Sequence, residues 1–209
     1  MTNLTLNYLN LHSYKMGSLE LPASETEINE FWENLNPNGS HDVELQWVES
    51  DLSSDLDKLS FSELVALSEM DEDDSETLVN IYEAVSYWDE ALNIFEQGEY
   101  TIYTDCQEMS DVAYSWIHEH IGSIEDAVSN VTYYIDAEQI KRDLEIDGYF
   151  EEIGMDDDEH EKDCMIESMI EEGIFTAENY FDYHAFGRDM EIEGNFTYLG
   201  QQTYIQIWA

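Results

Sequence analysis

Residues 134–150 read YIDAEQIKRDLEIDGYF, and residues 180–196 read YFDYHAFGRDMEIEGNF. Aligned at an offset of 46, eight of the 17 positions are identical: Tyr134/Tyr180, Asp136/Asp182, Arg142/Arg188, Asp143/Asp189, Glu145/Glu191, Ile146/Ile192, Gly148/Gly194 and Phe150/Phe196. Self-similarity at a fixed offset marks one supersecondary unit used twice. Each copy predicts a short helix capped by its Asp, whose side chain accepts from the first free amides, and then a strand. Arg142 and Arg188 each stand beside an Asp; the favoured expectation is an internal guanidinium–carboxylate pair at the helix–strand corner, and the alternative is contact with a partner. Between the copies, residues 156–173 predict a helix with Met165, Ile166, Met169 and Ile170 on its apolar side.

Outward from the repeat, helix and strand signals alternate. Upstream, Tyr100–Tyr103 reads as a strand, and Val112, Ala113, Trp116, Ile117 and Ile121 form a helical stripe closed by Gly122. Downstream, Phe196, Tyr198, Tyr204, Ile205, Ile207 and Trp208 around Gly200-Gln201-Gln202 predict a terminal hairpin. At the other end, Leu4, Leu6 and Tyr8 alternate with polar residues as a strand, and so do Val43, Leu45 and Trp47. Between them Ser24 and Glu27 form a capping box ahead of Ile28, Phe31, Trp32 and Leu35. Ser60 and Glu63 cap a second helix containing Leu64, Val65 and Leu67. Residues 71–74 read as a solvated turn. Leu78, Ile81, Tyr82 and Val85, then Ala91, Leu92 and Phe95, give two further stripes, the last ended by Gly98. The fold class is therefore α+β: elongated, with short antiparallel sheets and a central helical bundle. Three small subdomains are expected, at 1–58, 59–98 and 99–209, the last containing the repeat.

Charge bounds the function. The chain has 50 acidic and six basic residues, a net −44 over 209 residues. DNA carries one charge per ~1.7 Å of duplex, so 44 charges correspond to roughly 75 Å of it. The apolar content of 43% and aromatic content of 13% supply real cores, and the acids run along the whole length. A disordered acidic tail is excluded on both counts. Such a protein repels nucleic acid and competes for proteins that grip phosphates through Lys and Arg. Cys106 and Cys164 allow one disulfide but no disulfide framework. The chain opens with no secretory signal, and no apolar run approaches the ~18 residues of a membrane span. A cytoplasmic protein with no membrane partner is expected.

The second copy, YFDYHAFGRDMEIEGNF, resembles the C-terminal signature of the ArdA antirestriction family. Residues 100–122, YTIYTDCQEMSDVAYSWIHEHIG, resemble that family's central signature, and Tyr8, Tyr14, Gly17 and Leu21-Pro22 match its N-terminal segment more loosely. The likeness spans nearly the whole chain in the family's order. It implies an elongated three-part α+β chain, a homodimer made through the C-terminal part, and mimicry of bent DNA. It also implies inhibition of Type I restriction-modification enzymes in the host bacterial cytoplasm. One departure stands out: the family usually carries a single copy of the Tyr-Asp…Gly-Arg-Asp motif, and this chain has an extra copy, with Lys141 in place of the Gly, ahead of the better-matching one.

No catalytic constellation is present. There is no phosphate-binding Gly-rich loop, no Ser-His-Asp order and no reactive Cys motif. Asp143, Glu145, Asp147 and Gly148 imitate part of an EF-hand loop, as do Asp189, Glu191, Glu193 and Gly194, but position 12 is Gly in both. His118, His120 and the His160/Cys164 pair lack a second ligand pair at zinc spacing. The reading is a non-enzyme with no metal and no cofactor.

Acids at i, i+3 or i+4 stand about 6 Å apart along a helix, comparable with phosphates along a strand. In an ordinary chain such runs only solvate a face; at this charge the favoured reading is a DNA-like surface. Its candidates are Asp71, Glu72, Asp73, Asp74, Glu76, Asp105, Glu108, Asp111, Glu119, Asp156, Asp157, Asp158, Glu159, Glu161, Asp189, Glu191 and Glu193. Tyr204, Ile205, Ile207 and Trp208 are the candidate homodimer contact. The expected partner is a Type I restriction-modification complex, through its methyltransferase and specificity subunits. The alternative is another DNA-binding defence system such as a CRISPR effector. A salt-adapted assembly protein is a third reading.

Overall fold

The computed structural model describes residues 1–39, 42–52, 56–155, 159–175 and 177–208. The chain is mixed α+β, with two three-stranded sheets among the described residues. It divides into two compact units, residues 1–101 with the chain end from Ile207, and residues 102–206. Residues 1–58 and 59–98, which the sequence reads as separate subdomains, therefore belong to one compact unit.

In the first unit, β1 (Leu4–Asn10) lies between β2 (Lys15–Leu21) and β3 (Val43–Ser50), antiparallel to both. Leu4, Leu6 and Tyr8 of the central strand are buried. Helix α1 (Glu25–Leu35) starts at the Ser24/Glu27 capping box expected from sequence. It covers the sheet: the Tyr8 and Trp32 rings meet edge to face at 5.0 Å. A side chain on Gly17 of β2 would come within 3.0 Å of Phe31.

Strand β3 departs from simple alternation. Tyr8 pairs with Leu45 and Asn7 with Trp47, so Gln46 is an extra residue opposite a continuous partner. A bulge of this kind flips every later side chain to the other face. Val48 then sits opposite Leu6, and Trp47, expected beside Val43 and Leu45, is 40% exposed.

Three helices complete this unit: α2 (Phe61–Glu69), α3 (Glu72–Val85) and α4 (Trp88–Gln97). The Ser60/Glu63 box caps α2, and Gly98 closes α4 in the left-handed region at φ 68°. The 71–74 run is not a turn. Asp71 is the N-cap of α3, accepting from the Asp74 amide at 3.0 Å, and Glu72, Asp73 and Asp74 form the first turn. Carboxylates are favourable there because the free amides carry partial positive charge.

The second unit begins within β4 (Tyr100–Tyr103). Helix α5 (Met109–Ser115) runs on into a wider turn, Trp116–Ile121, closed by a bond from the Gly122 amide to the Ile117 carbonyl. Then come α6 (Ile124–Ala127), α7 (Ala137–Ile146), α8 (Tyr149–Ile153), α9 (Glu159–Glu171), α10 (Ala177–Tyr180) and α11 (Tyr183–Glu193). The hairpin β5 (Phe196–Gly200) and β6 (Thr203–Ile207) completes a sheet of order β4-β6-β5. Its turn residues Gln201 and Gln202 both have positive φ, 48° and 62°.

Both copies of the repeat form the expected Asp-capped helix. Asp136 accepts from the Gln139 amide at 2.8 Å, and Asp182 from the Ala185 amide at 2.9 Å. The strand after the helix forms only in the second copy, where Phe196 pairs with Gln206. In the first copy Gly148 adopts φ 71° and turns the chain into α8 instead. Phe150 is then buried with Ile140, Ile166 and Ile170 rather than entering a sheet. Identical residues take different structures because only the second copy has a strand to pair with.

The copies also bind each other. Ile135 and Phe181, which are equivalent positions, form an antiparallel bridge. The Asp136 amide donates to the Tyr180 carbonyl at 2.8 Å, and the Asp182 amide to the Tyr134 carbonyl at 2.6 Å. The tyrosine hydroxyls repeat the exchange. Tyr134 donates to Asp189 at 2.9 Å, and Tyr180 hydrogen-bonds Asp143. An antiparallel pairing of a residue with its own equivalent is a local two-fold relation, and these bonds extend it to both ends of the motif.

Candidate functional site

Burial sorts the polar side chains. The buried polar set among the described residues is Thr2, Asn7, Asn10, Ser68, Ser75 and Lys162; it contains no carboxylate. The negative charge is carried at the surface, as desolvation of ionised groups requires.

The candidate acids separate by what their side chains touch. Glu72, Asp73, Asp74, Glu76, Asp105, Glu108, Glu119, Glu191 and Glu193 are exposed. Asp71 caps α3, and Asp111 caps α5 by accepting from the Gln107 and Glu108 amides at 2.8 and 3.2 Å. Asp189 receives the Tyr134 hydroxyl. Glu159 accepts from Lys141 at 2.7 Å and Lys162 at 3.0 Å, bonds that hold its carboxyl below the usual range. Glu161 is exposed and has a partner. Asp156, Asp157 and Asp158 lie outside the described residues.

Helix α9 has an acidic line that the candidate set only partly contains. Glu159, Asp163, Glu167 and Glu171 recur every four residues and are all exposed. The i, i+4 period was the available signal for Asp163, Glu167 and Glu171. On α1, Glu30 and Glu33 are likewise exposed.

Three of the six Lys and Arg residues, Lys141, Arg142 and Lys162, lie on α7 and α9. Lys141 bridges Glu159 and Asp163 at 2.7 Å each, and Lys162 bridges Glu159 and Glu145. Lys162 also lies over the Phe150 ring at 5.2 Å. These bonds fasten α9 to α7 and raise both ammonium pKa values, because the charged form is the one hydrogen-bonded. Among the described residues, the internal carboxylate pair expected for each arginine is made only by Arg142, and at the long limit of an ion pair. Arg142 donates to Gln139 at 2.9 Å and stands 4.0 Å from Asp136. Arg188 is exposed with no ion pair to a described residue. The neighbouring Asp143 and Asp189 are instead taken by the tyrosines of the opposite copy.

The proposed dimer contact also changes. Ile205 is fully buried within its own chain, because β6 is the central strand of its sheet, so it offers no surface to a partner. Tyr204 packs in part against the cluster of Tyr103, Cys106, Met109 and Val112. Ile207 is half-buried, and Trp208 is 52% exposed.

Cys106 and Cys164 are both free thiols, the first buried and the second exposed. Among the described residues, no group of three or more His, Cys, Asp or Glu could hold a metal ion. No described helix is long and apolar enough to cross a membrane. Comparison with protein-family models and with curated proteins gives no match.

Proposed function

We propose that this chain is a non-enzymatic DNA mimic that inhibits a Type I restriction-modification complex. It occupies the DNA-binding channel, chiefly through the methyltransferase and specificity subunits. One observation carries the reading: a net charge of −44 sits on a folded scaffold that buries no described carboxylate. A DNA channel presents cations placed for phosphates, and any polyanion of similar charge density competes for them. On α9, Glu167 and Glu171 continue the line beyond the lysine-bonded Glu159 and Asp163, and with the acidic first turn of α3 they supply such density on rigid helices. The choice of a Type I enzyme rests on the resemblance of residues 100–122 and 180–196 to antirestriction signatures.

The test is competition. Titrated into a purified Type I enzyme holding a labelled duplex, the protein is expected to displace the duplex. Its affinity should fall steeply from about 50 mM to about 0.5 M salt. Failure to displace the duplex, or affinity indifferent to salt, refutes the reading.

A further inference from the structure

The two copies of the repeat differ at inward-facing helix positions and share an exposed stretch at the helix end. Facing the interior, Ile140 stands against Phe186, Leu144 against Met190 and Lys141 against Gly187. These differences follow from different neighbours, since α7 packs on α8 and α9 while α11 packs on α5. On the exposed side Arg142 and Arg188, Glu145 and Glu191, and Ile146 and Ile192 are the same, whereas Glu138 and His184, and Asp147 and Glu193, differ. Positions i, i+3 and i+4 share one helix face. Ile146 is 83% exposed and Ile192 76% exposed. A single exposed isoleucine needs no explanation. The same isoleucine exposed at the same place in two copies whose cores have diverged does. Arg142 donates to Gln139 and Glu145 accepts from Lys162, which leaves the isoleucines as the retained exposed pair whose exposure no contact within the fold accounts for.

We propose that these two faces are equivalent recognition sites for a basic, DNA-binding protein that presents the same surface twice. This rests on the function proposed above. The local two-fold through Ile135 and Phe181 relates the two faces. Each isoleucine is flanked by exposed carboxylates, Glu145 and Asp147 in one copy and Glu191 and Glu193 in the other; Glu145 also accepts from Lys162 at 3.1 Å. The complementary surface is an apolar depression ringed by Lys and Arg, with an acceptor placed for the guanidinium. A second copy of this chain is the wrong occupant, since it would bring another 44 negative charges to the same place.

The experiment measures binding of the full chain to a purified Type I methyltransferase complex across a salt series. The variants are Ile146→Asn, Ile192→Asn and the double variant. Both side chains are exposed, so folding is preserved, and no charge is altered. Each single variant is expected to weaken binding roughly tenfold, the low end of what burying an isoleucine supplies. The double should weaken it about a hundredfold, with the salt slope unchanged. Binding by the double variant within about twofold of the unaltered chain overturns the proposal and leaves mimicry standing, provided salt dependence and DNA competition persist. An effect from only one of the two isoleucines overturns the equivalence. Self-association that the double variant abolishes assigns the faces to a second copy and also overturns it. Failure of the unaltered chain to bind overturns both readings.

Discussion

Replacing Gly187 by Ala adds one methyl group where α11 meets the start of α5. A Cβ at Gly187 would lie 2.5 Å from the Met109 carbonyl oxygen, 2.6 Å from its carbon and 2.9 Å from the Ser110 nitrogen. Ordinary contact begins at 3.4 Å, so the methyl is about 0.9 Å too close to main chain that has no rotamer to change. Two effects compete. In a helix interior Ala is about 1 kcal/mol better than Gly. Overpacking costs roughly 1–3 kcal/mol, and relief here requires two helices to separate. That separation would loosen Phe186 from the cluster it shares with Ala113 and Ile117. With the clash near the upper end, the net loss is about 2 kcal/mol, or a Tm lower by roughly 4–8 °C for a chain of this size. Thermal unfolding followed by circular dichroism reads it. Glu138→Ala, at an exposed position of α7, serves as the control and should stay within about 0.5 kcal/mol. A Tm that rises in Gly187→Ala, as propensity alone would give, refutes the close contact.

Tyr134→Phe removes the donor to Asp189 and should cost about 1 kcal/mol in urea unfolding at neutral pH. Burial first, and then the Asp189 acceptor, push this phenol up to about 12. Its contribution is therefore full below the ordinary value of 10.0 and lost as pH rises through about 12; an undiminished penalty at that pH would contradict the bond. Glu159→Gln should lower Tm at neutral pH but not at about pH 2. The lysine-bonded carboxyl has a depressed pKa, so its contribution is present above the usual carboxylate range and disappears as pH falls through the depressed value. Equal effects at both pH values would show that Lys141 and Lys162 do not act through its charge. Substituting Asn-Gly for Gln201-Gln202, where both φ values are positive, should stabilise the hairpin by about 1 kcal/mol. A lower Tm would mean that the glutamine side chains hold the turn.

Much of the fold was legible because its signals are local. The capping boxes at Ser24 and Ser60, the caps at Asp136 and Asp182, and the left-handed Gly98 and Gly122 all act within one helical turn. Strand β2 was missed because it is an edge strand whose buried residues are only Leu19 and Leu21, too few to show a period. Trp47 was misplaced because an antiparallel bulge is a property of two strands, invisible in the one that carries it. In the candidate surface, composition located the charge but not its partners. Nothing in the sequence around Asp111 or Glu159 distinguishes a helix cap or a lysine-bonded acid from a solvated one.

The sequence alone determined that this chain is a folded polyanion with one motif used twice, since charge, apolar content and self-similarity are sums over residues. Tertiary structure decided what each copy became. Gly148 turns into a helix because no strand waits for Phe150, whereas Phe196 finds β6 and extends a sheet. It also decided that the copies bind each other through Tyr134–Asp189 and Tyr180–Asp143. The physical reason is that helix caps are satisfied by neighbours in the chain. Strand pairing and reciprocal hydrogen bonds need a partner that only the folded chain brings close.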